Sequence, residues 1–199
     1  MIAVIDSGVA NLASVMASLQ RLGAEAEITS DPVVIREAER VILPGVGSAA
    51  PAMAQLRDKQ LVEVVRGLTR PVLGICLGMQ LLFTRSEEGG DTSCLDIIPG
   101  EVRLLQSSAE TPVPHMGWNT LALQAAEHPL LRGVADGSFV YFVHSFAAPS
   151  GPYSLALTTY GTAFTAIAQH KNFLGCQFHP ERSSTAGSQI LRNFLDIER

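Results

Sequence analysis

Between Pro71 and Phe83 the chain changes character within a few residues. Val72-Leu73-Gly74-Ile75 is an apolar run of the kind buried in a parallel sheet, whereas Met79-Gln80-Leu81-Leu82-Phe83 favours helix. The two are joined by Gly74-Ile75-Cys76-Leu77-Gly78. A strand that turns directly into a helix through Gly-x-Cys-x-Gly forces an unusual backbone on the central residue. Side chains on either flank would collide with neighbouring elements, hence the two glycines. Such an elbow belongs at the carboxyl edge of a sheet in an α/β fold, and that edge is where ligand sites form.

The rest of the first half agrees with that layout. Residues 2–5, 25–29, 41–43 and 72–75 read as strands. Leu12, Val15, Met16, Leu19 and Leu22 mark one face of a helix that Gly23 closes, and further helical stretches lie at 49–57 and 61–68. Alternation of strand and helix implies a mostly parallel, centrally buried sheet flanked by helices, with right-handed crossovers. In the second half, 101–105, 119–123, 139–143, 154–159, 164–170 and 173–178 read as strands between turn-rich segments. These supply additional antiparallel strands, at the sheet edge or in a small accessory sheet. A last helix is expected over 186–197, with Ile190, Leu191, Phe194 and Leu195 on its apolar side. No repeat, low-complexity stretch or linker interrupts the 199 residues, so one domain over 1–199 is expected.

Composition removes several functional classes. With 14 Lys and Arg against 19 Asp and Glu, the formal net charge is −5 and no basic block exists, a poor match to nucleic acid or anionic membrane. No apolar run is long enough to span a bilayer, and Asp6 ends the first one too soon for a signal peptide. Three widely spaced cysteines without a C-x-x-C pair suit a reducing compartment, so a cytoplasmic protein is expected.

A thiol at the elbow is either a small core residue or a nucleophile. The helix start after Cys76 would favour thiolate, since such settings can lower a cysteine pKa from about 8.5 to roughly 3.5–7.5. A nucleophile also needs a base. Of the five histidines, His128 precedes Pro129 in a polar stretch and reads as surface. His170, beside Lys171 and Asn172, reads as a hairpin tip. His179 emerges from the end of the buried run 173–178, and Glu181 follows two residues on with the stiff Pro180 between them. That spacing lets a carboxylate orient an imidazole and stabilise its charged form, which makes Cys76, His179 and Glu181 a nucleophile–base–acid set. The chain order Cys, His, Glu differs from that of α/β-hydrolases, where the acid precedes the histidine. Cys176 reads as an inert core residue, and nothing is assigned to Cys94. His115 and His144 lack the carboxylate or cysteine spacing of a zinc site, so neither metal nor cofactor is expected.

Gly74-Ile-Cys-Leu-Gly-Met-Gln80 and Phe178-His-Pro-Glu181 together resemble the class I (triad) glutamine amidotransferases. Four further motifs are similar to the glutaminase subunits of imidazole glycerol phosphate synthases, which act in histidine biosynthesis. They are Asp6-Ser-Gly-Val-Ala-Asn-Leu12, Leu43-Pro-Gly-Val-Gly47, Pro114-His-Met-Gly-Trp-Asn119 and Tyr141-Phe-Val-His-Ser145, and they span nearly the whole chain. The sequence departs from these relatives at Ser7 and Ala10, and at Phe146, where tyrosine is common.

The resemblance implies L-glutamine as substrate, held by Gln80, Glu88 and Ser145, with Glu88 meeting the α-amino group. It implies an oxyanion strand at Gly45, Val46 and Gly47, with the Val46 and Leu77 amides as donors. In this subfamily such a Pro-Gly-Val-Gly strand is associated with an amide that must reorient before catalysis. It further implies a heterodimer with a (β/α)8 cyclase subunit that consumes the ammonia, with Asn11, Trp118, His144 and Arg182 near that interface. For Trp118, packing in the core is the competing reading.

Overall fold

A computed structural model describes residues 1–6 and 12–197. The first half alternates as expected: β1 (Ile2–Ile5), α1 (Leu12–Arg21), β2 (Ala26–Thr29), α2 (Pro32–Glu37), β3 (Arg40–Gly45), α3 (Ala49–Asp58), α4 (Val62–Arg66) and β4 (Val72–Cys76). The short α2 was not anticipated from periodicity, although its start is signalled. Asp31 caps it by accepting from the Val33 amide at 2.8 Å, and Pro32 occupies the first turn.

After the elbow the chain departs from expectation. The helix α5 is a single turn, Leu77–Gln80, and Phe83 already opens a strand, β5 (Phe83–Ser86). Leu81, Leu82 and Phe83 are all buried and offer no polar side for a longer surface helix. Pairing of β5 with β6 (Thr92–Ser93) and β7 (Ile98–Leu104) overrides helix propensity there. Then follow β8 (His115–Thr120), β9 (Ala122–Leu123), β10 (Phe139–His144), β11 (Phe146–Ala147), β12 (Ser154–Tyr160), β13 (Thr162–His170), β14 (Phe173–Cys176) and α6 (Ser184–Asp196).

The main sheet has the order β2-β1-β3-β4-β14-β13-β12-β9. The first five strands run parallel, and the last three are added antiparallel at one edge. The inner parallel strands β1, β3, β4 and β14 are largely apolar and buried, as strands covered on both faces must be, and Val72–Cys76 is buried at every position. Two core clusters flank the sheet: Val15, Leu19, Phe178, Ile190 and Phe194 on one side, and Ile35, Met53, Leu56, Val65 and Phe83 on the other. A small sheet β11-β7-β5-β6 and a two-stranded ribbon β10-β8 complete the fold. Both ways of using the extra strands therefore occur, at the edge and in accessory layers. The topology places β4 beside β14, with Cys176 in register with Ile75, so Cys76 and the residues after Cys176 share one sheet edge.

Candidate active site

Cys76 holds φ 54° and ψ −113°, a left-handed backbone that is strained for any residue with a side chain. Its flanking glycines show why the turn can be so tight. A Cβ on Gly78 would run into the backbone oxygen of Leu43 in β3, and one on Gly74 would stand 2.7 Å from the Gly78 carbonyl and the Met79 nitrogen. The elbow is pressed against its neighbouring strand, and only glycine fits. The Cys76 Sγ lies 3.8 Å from the Val143 carbonyl, and the Gln177 Nε2 donates toward the sulfur from 3.9 Å. Because α5 is one turn long, its macrodipole is smaller than the sequence suggests, and charge assistance to the thiol must come chiefly from elsewhere.

His179 supplies it. Leaving β14, the chain enters the tight turn Pro180–Arg182, and the His179 Nδ1 meets the Glu181 Oε1 at 2.8 Å. The main chain of His179 is fixed on both sides. Its amide donates to the Tyr141 carbonyl at 3.0 Å, and its carbonyl accepts from the Ser183 hydroxyl at 2.7 Å. Glu181 leaves only 2% of its side chain exposed, so its attraction for the imidazole is little screened by water. Burial by itself lowers the His179 pKa, but interaction with the Cys76 sulfur and with Glu181 outweighs it and pushes the value up to about 10. The Nε2 of His179 is buried and makes no hydrogen bond of good geometry in the resting site. An imidazolium held between a thiol and a carboxylate is the arrangement expected of a nucleophile with its acid–base partner.

A cleft of about 180 Å³ opens over these groups, lined by Val46, Gly47, Cys76, Leu77, Gln80, Glu88, Val143, His144, Ser145, Phe146 and His179. Gly45 pairs in register with Cys76, which brings the following Val46 beside the nucleophile. Gly47 adopts φ 91°, a conformation that favours glycine. Gln80 donates both to the Phe146 carbonyl at 2.7 Å and to the Gln177 Oε1 at 3.0 Å. Glu88 accepts from the Ala49 amide at the start of α3 at 2.8 Å, and burial, partly offset by that bond, raises its pKa. Of the residues implied as substrate or oxyanion contacts, the cleft thus gathers Val46, Gly47, Leu77, Gln80, Glu88 and Ser145, with Gly45 in the strand behind it.

The residues expected near a partner are not alike. Trp118 is 52% exposed on β8 and packs edge-on against Tyr141 with ring centres 5.9 Å apart, which removes the core reading. Arg182 is exposed beside the triad turn. His144 is 7% exposed and faces the cleft, bonded to His115 and the Phe146 carbonyl, so it presents no outer face. Asn11 lies outside the described residues.

Two functional neighbours were missed. Gln177, fully buried, links Gln80 to the Cys76 sulfur, and Ser183, also fully buried, ties the His179 carbonyl to the Tyr141 amide. Gln177 just before the Phe-His-Pro-Glu segment and Ser183 two residues after it were the available signal. Cys176 is fully buried, and burial followed by the nearby Glu181 raises its thiol pKa strongly, as for an inert core thiol. Burial also holds the Cys94 thiol up at about 11. Larger hollows of about 300–360 Å³ are lined by residues such as Pro129, Arg132, Lys171 and Asn172, and contain no cysteine. Among the described residues no three His, Cys, Asp or Glu side chains converge as metal ligands, and no helix is long and apolar enough to cross a membrane.

Comparison with known proteins agrees with this geometry. The sequence matches the family "Glutamine amidotransferase class-I" over residues 3–197. It is 48% identical over 196 residues to the imidazole glycerol phosphate synthase subunit HisH of Yersinia pestis, covering 98% of this chain and 99% of that protein. It is 50% identical over 212 residues to the subunit HisH of Shewanella oneidensis, covering 99% and 96%. A solved glutamine amidotransferase superimposes with a TM-score of 0.74 at 18% identity, covering 98% of this chain and 97% of that one, a likeness of fold. A strained cysteine at a sheet edge, a buried His–Glu pair opposite it and near end-to-end similarity lead to one assignment: the chain belongs to the class-I glutamine amidotransferases.

Proposed function

We propose that this chain is the glutaminase subunit of an imidazole glycerol phosphate synthase, and that Cys76, His179 and Glu181 release ammonia from L-glutamine. The observation that carries the reading is Cys76, strained at φ 54° in a cleft that it shares with His179. The Cys76 thiolate attacks the side-chain amide carbon, and the amides of Val46 and Leu77 hold the developing oxyanion. His179 gives its proton to the departing ammonia, leaving a glutamyl thioester. It then takes a proton from water as the water attacks, and glutamate leaves. Glu181 keeps the imidazole oriented and charged. Gln80, Glu88 and Ser145 hold the substrate, with the Glu88 carboxylate the natural partner for an α-ammonium group.

Ammonia is largely protonated in water at pH 7 and dilutes once free, so the product is useful only if handed on directly. The relatives' names describe a subunit of a synthase. The partner we infer is a (β/α)8 cyclase subunit, in a heterodimer working in the cytoplasm, and a single glutaminase domain over 1–199 would serve it. Support comes from β8 and β10, which leave Met116, Trp118 and Phe139 exposed on one face, as apolar side chains at an interaction surface are. The test is synthesis by the paired subunits from glutamine and, separately, from ammonia. Cys76→Ser should abolish the first and spare the second, and full-speed glutamine hydrolysis by the isolated chain would overturn the coupled reading.

A further inference from the structure

His115 is buried, lies outside the triad and has a distinct environment. Its ring is stacked between Phe142, at 4.8 Å between centres, and Tyr160, at 4.0 Å, so it has little freedom to turn. Its Nδ1 is 3.1 Å from the Nε2 of His144, its Nε2 is 3.3 Å from the amide nitrogen of Asn119, and the Nδ1 of His144 is 2.9 Å from the Phe146 carbonyl. These contacts fix every proton. A carbonyl only accepts, so the His144 Nδ1 carries hydrogen and, in a neutral ring, its Nε2 is a lone pair. The His115 Nδ1 must then be the donor, which leaves the His115 Nε2 as acceptor for the Asn119 amide. A charge on either ring would set donor against donor. Burial, the leading cause in both, lowers the pKa of His115 to about 4 and of His144 to about 3, in keeping with two neutral rings.

The chain ends on the carbonyl that also receives Gln80. With both hydrogens of Gln80 Nε2 committed, to Phe146 and Gln177, its Oε1 is the remaining polar atom of a side chain that lines the cleft. We propose that His115, acting through the neutral His144, is a positioning residue: the one-directional chain from Asn119 to the Phe146 carbonyl sets where Gln80 presents its oxygen to glutamine. This rests on the glutaminase reading of the cleft.

Two variants separate this role from mere packing. His115→Phe keeps an aromatic ring between Phe142 and Tyr160 but removes the donor. His115→Asn loses the ring but places an amide N–H where Nδ1 stood. A packing role predicts that Phe is the milder change, and a positioning role predicts the reverse. In the paired subunits, His115→Phe should raise the KM for glutamine about three- to tenfold, the scale of one lost hydrogen bond, with kcat changed less. His115→Asn should restore most of it. In the native chain, long-range ¹H–¹⁵N spectra should show both rings neutral with hydrogen on Nδ1. An Nε2–H tautomer or a charged ring at pH 7 overturns the proposal, as does a Phe variant that binds glutamine better than the Asn variant. Absence of Cys76-dependent hydrolysis in the wild-type pair would sink the glutaminase reading itself, a result distinct from either of those.

Discussion

In the proposed reaction His179 enters carrying its proton. Burial acts to strip it, yet the Cys76 sulfur and the Glu181 carboxylate hold the pKa up to about 10, so the acid needed by departing ammonia is present throughout the neutral range. The glutamine kcat/KM should therefore fall on the alkaline side only as pH approaches that value. Glu181→Gln removes one of the two raising partners. The alkaline limb should then move to lower pH by about one unit or more, and kcat should drop on the order of 10²–10⁴-fold. A pH–rate profile of the paired enzyme checks both, and an unmoved limb would mean that Glu181 does not set the imidazole charge. The gathering of Cys76, His179 and Glu181 was legible in the sequence because each sits in a local pattern, the glycine-flanked elbow and the His-Pro-Glu turn. Gln177 and Ser183 were not, because an amide or a hydroxyl acquires its role only when β4, β14 and β10 come together.

Among the elements, the elbow depends on how closely α5 approaches β3. An alanine Cβ at position 78 would meet the Leu43 backbone oxygen, which cannot swing away as a side chain can. Gly78→Ala should force α5 and β3 apart, with a loss of about 1–3 kcal/mol read as a lower urea midpoint, and with loss of glutaminase activity out of proportion to it. Gly23→Ala, at a helix end where an added Cβ meets nothing within 4 Å but φ is 74°, serves as the control for backbone strain remote from the site. It should lower stability without touching KM. The inner parallel strands were readable because burial on both faces leaves continuous apolar runs. The one-turn α5 and the strand β5 were not, since Leu81, Leu82 and Phe83 suit helix and strand alike until β7 offers a pairing edge.

Across the whole molecule, two sets of histidines bracket the pH range of greatest stability. His115 and His144 titrate lower folded than their ordinary 6.5, so the stability they contribute is present above that value and is lost as pH falls toward about 4 and 3. His179 titrates higher, so its contribution is present below 6.5 and is lost as pH rises through about 10. Urea midpoints should therefore decline on both sides of neutrality. On the acid side, His115→Phe should flatten the decline.

The ribbon of β8 and β10 joins this interior chemistry to the surface by the period of two of a strand. His115 opposes His144, and that face turns inward with Val140 and Phe142. Trp118 opposes Tyr141 and Met116 opposes Val143 on the other face, where Met116 is 62% exposed. Phe139, at the end of the same row, is 61% exposed. Trp118 is the sole tryptophan, so emission from this chain reports on that face alone. Adding the proposed cyclase subunit should shift the emission to shorter wavelength once the partner's own signal is subtracted. Trp118→Ala should weaken association by about 2 kcal/mol, the scale of an aromatic anchor at an interface centre. Alkylation of Cys76 in the free variant should proceed at the wild-type rate, since Trp118 does not line the cleft that holds it. A complex that forms with full affinity while Trp118 emission stays unchanged would place the partner on another face, and would leave the outward apolar row of the ribbon without its proposed role.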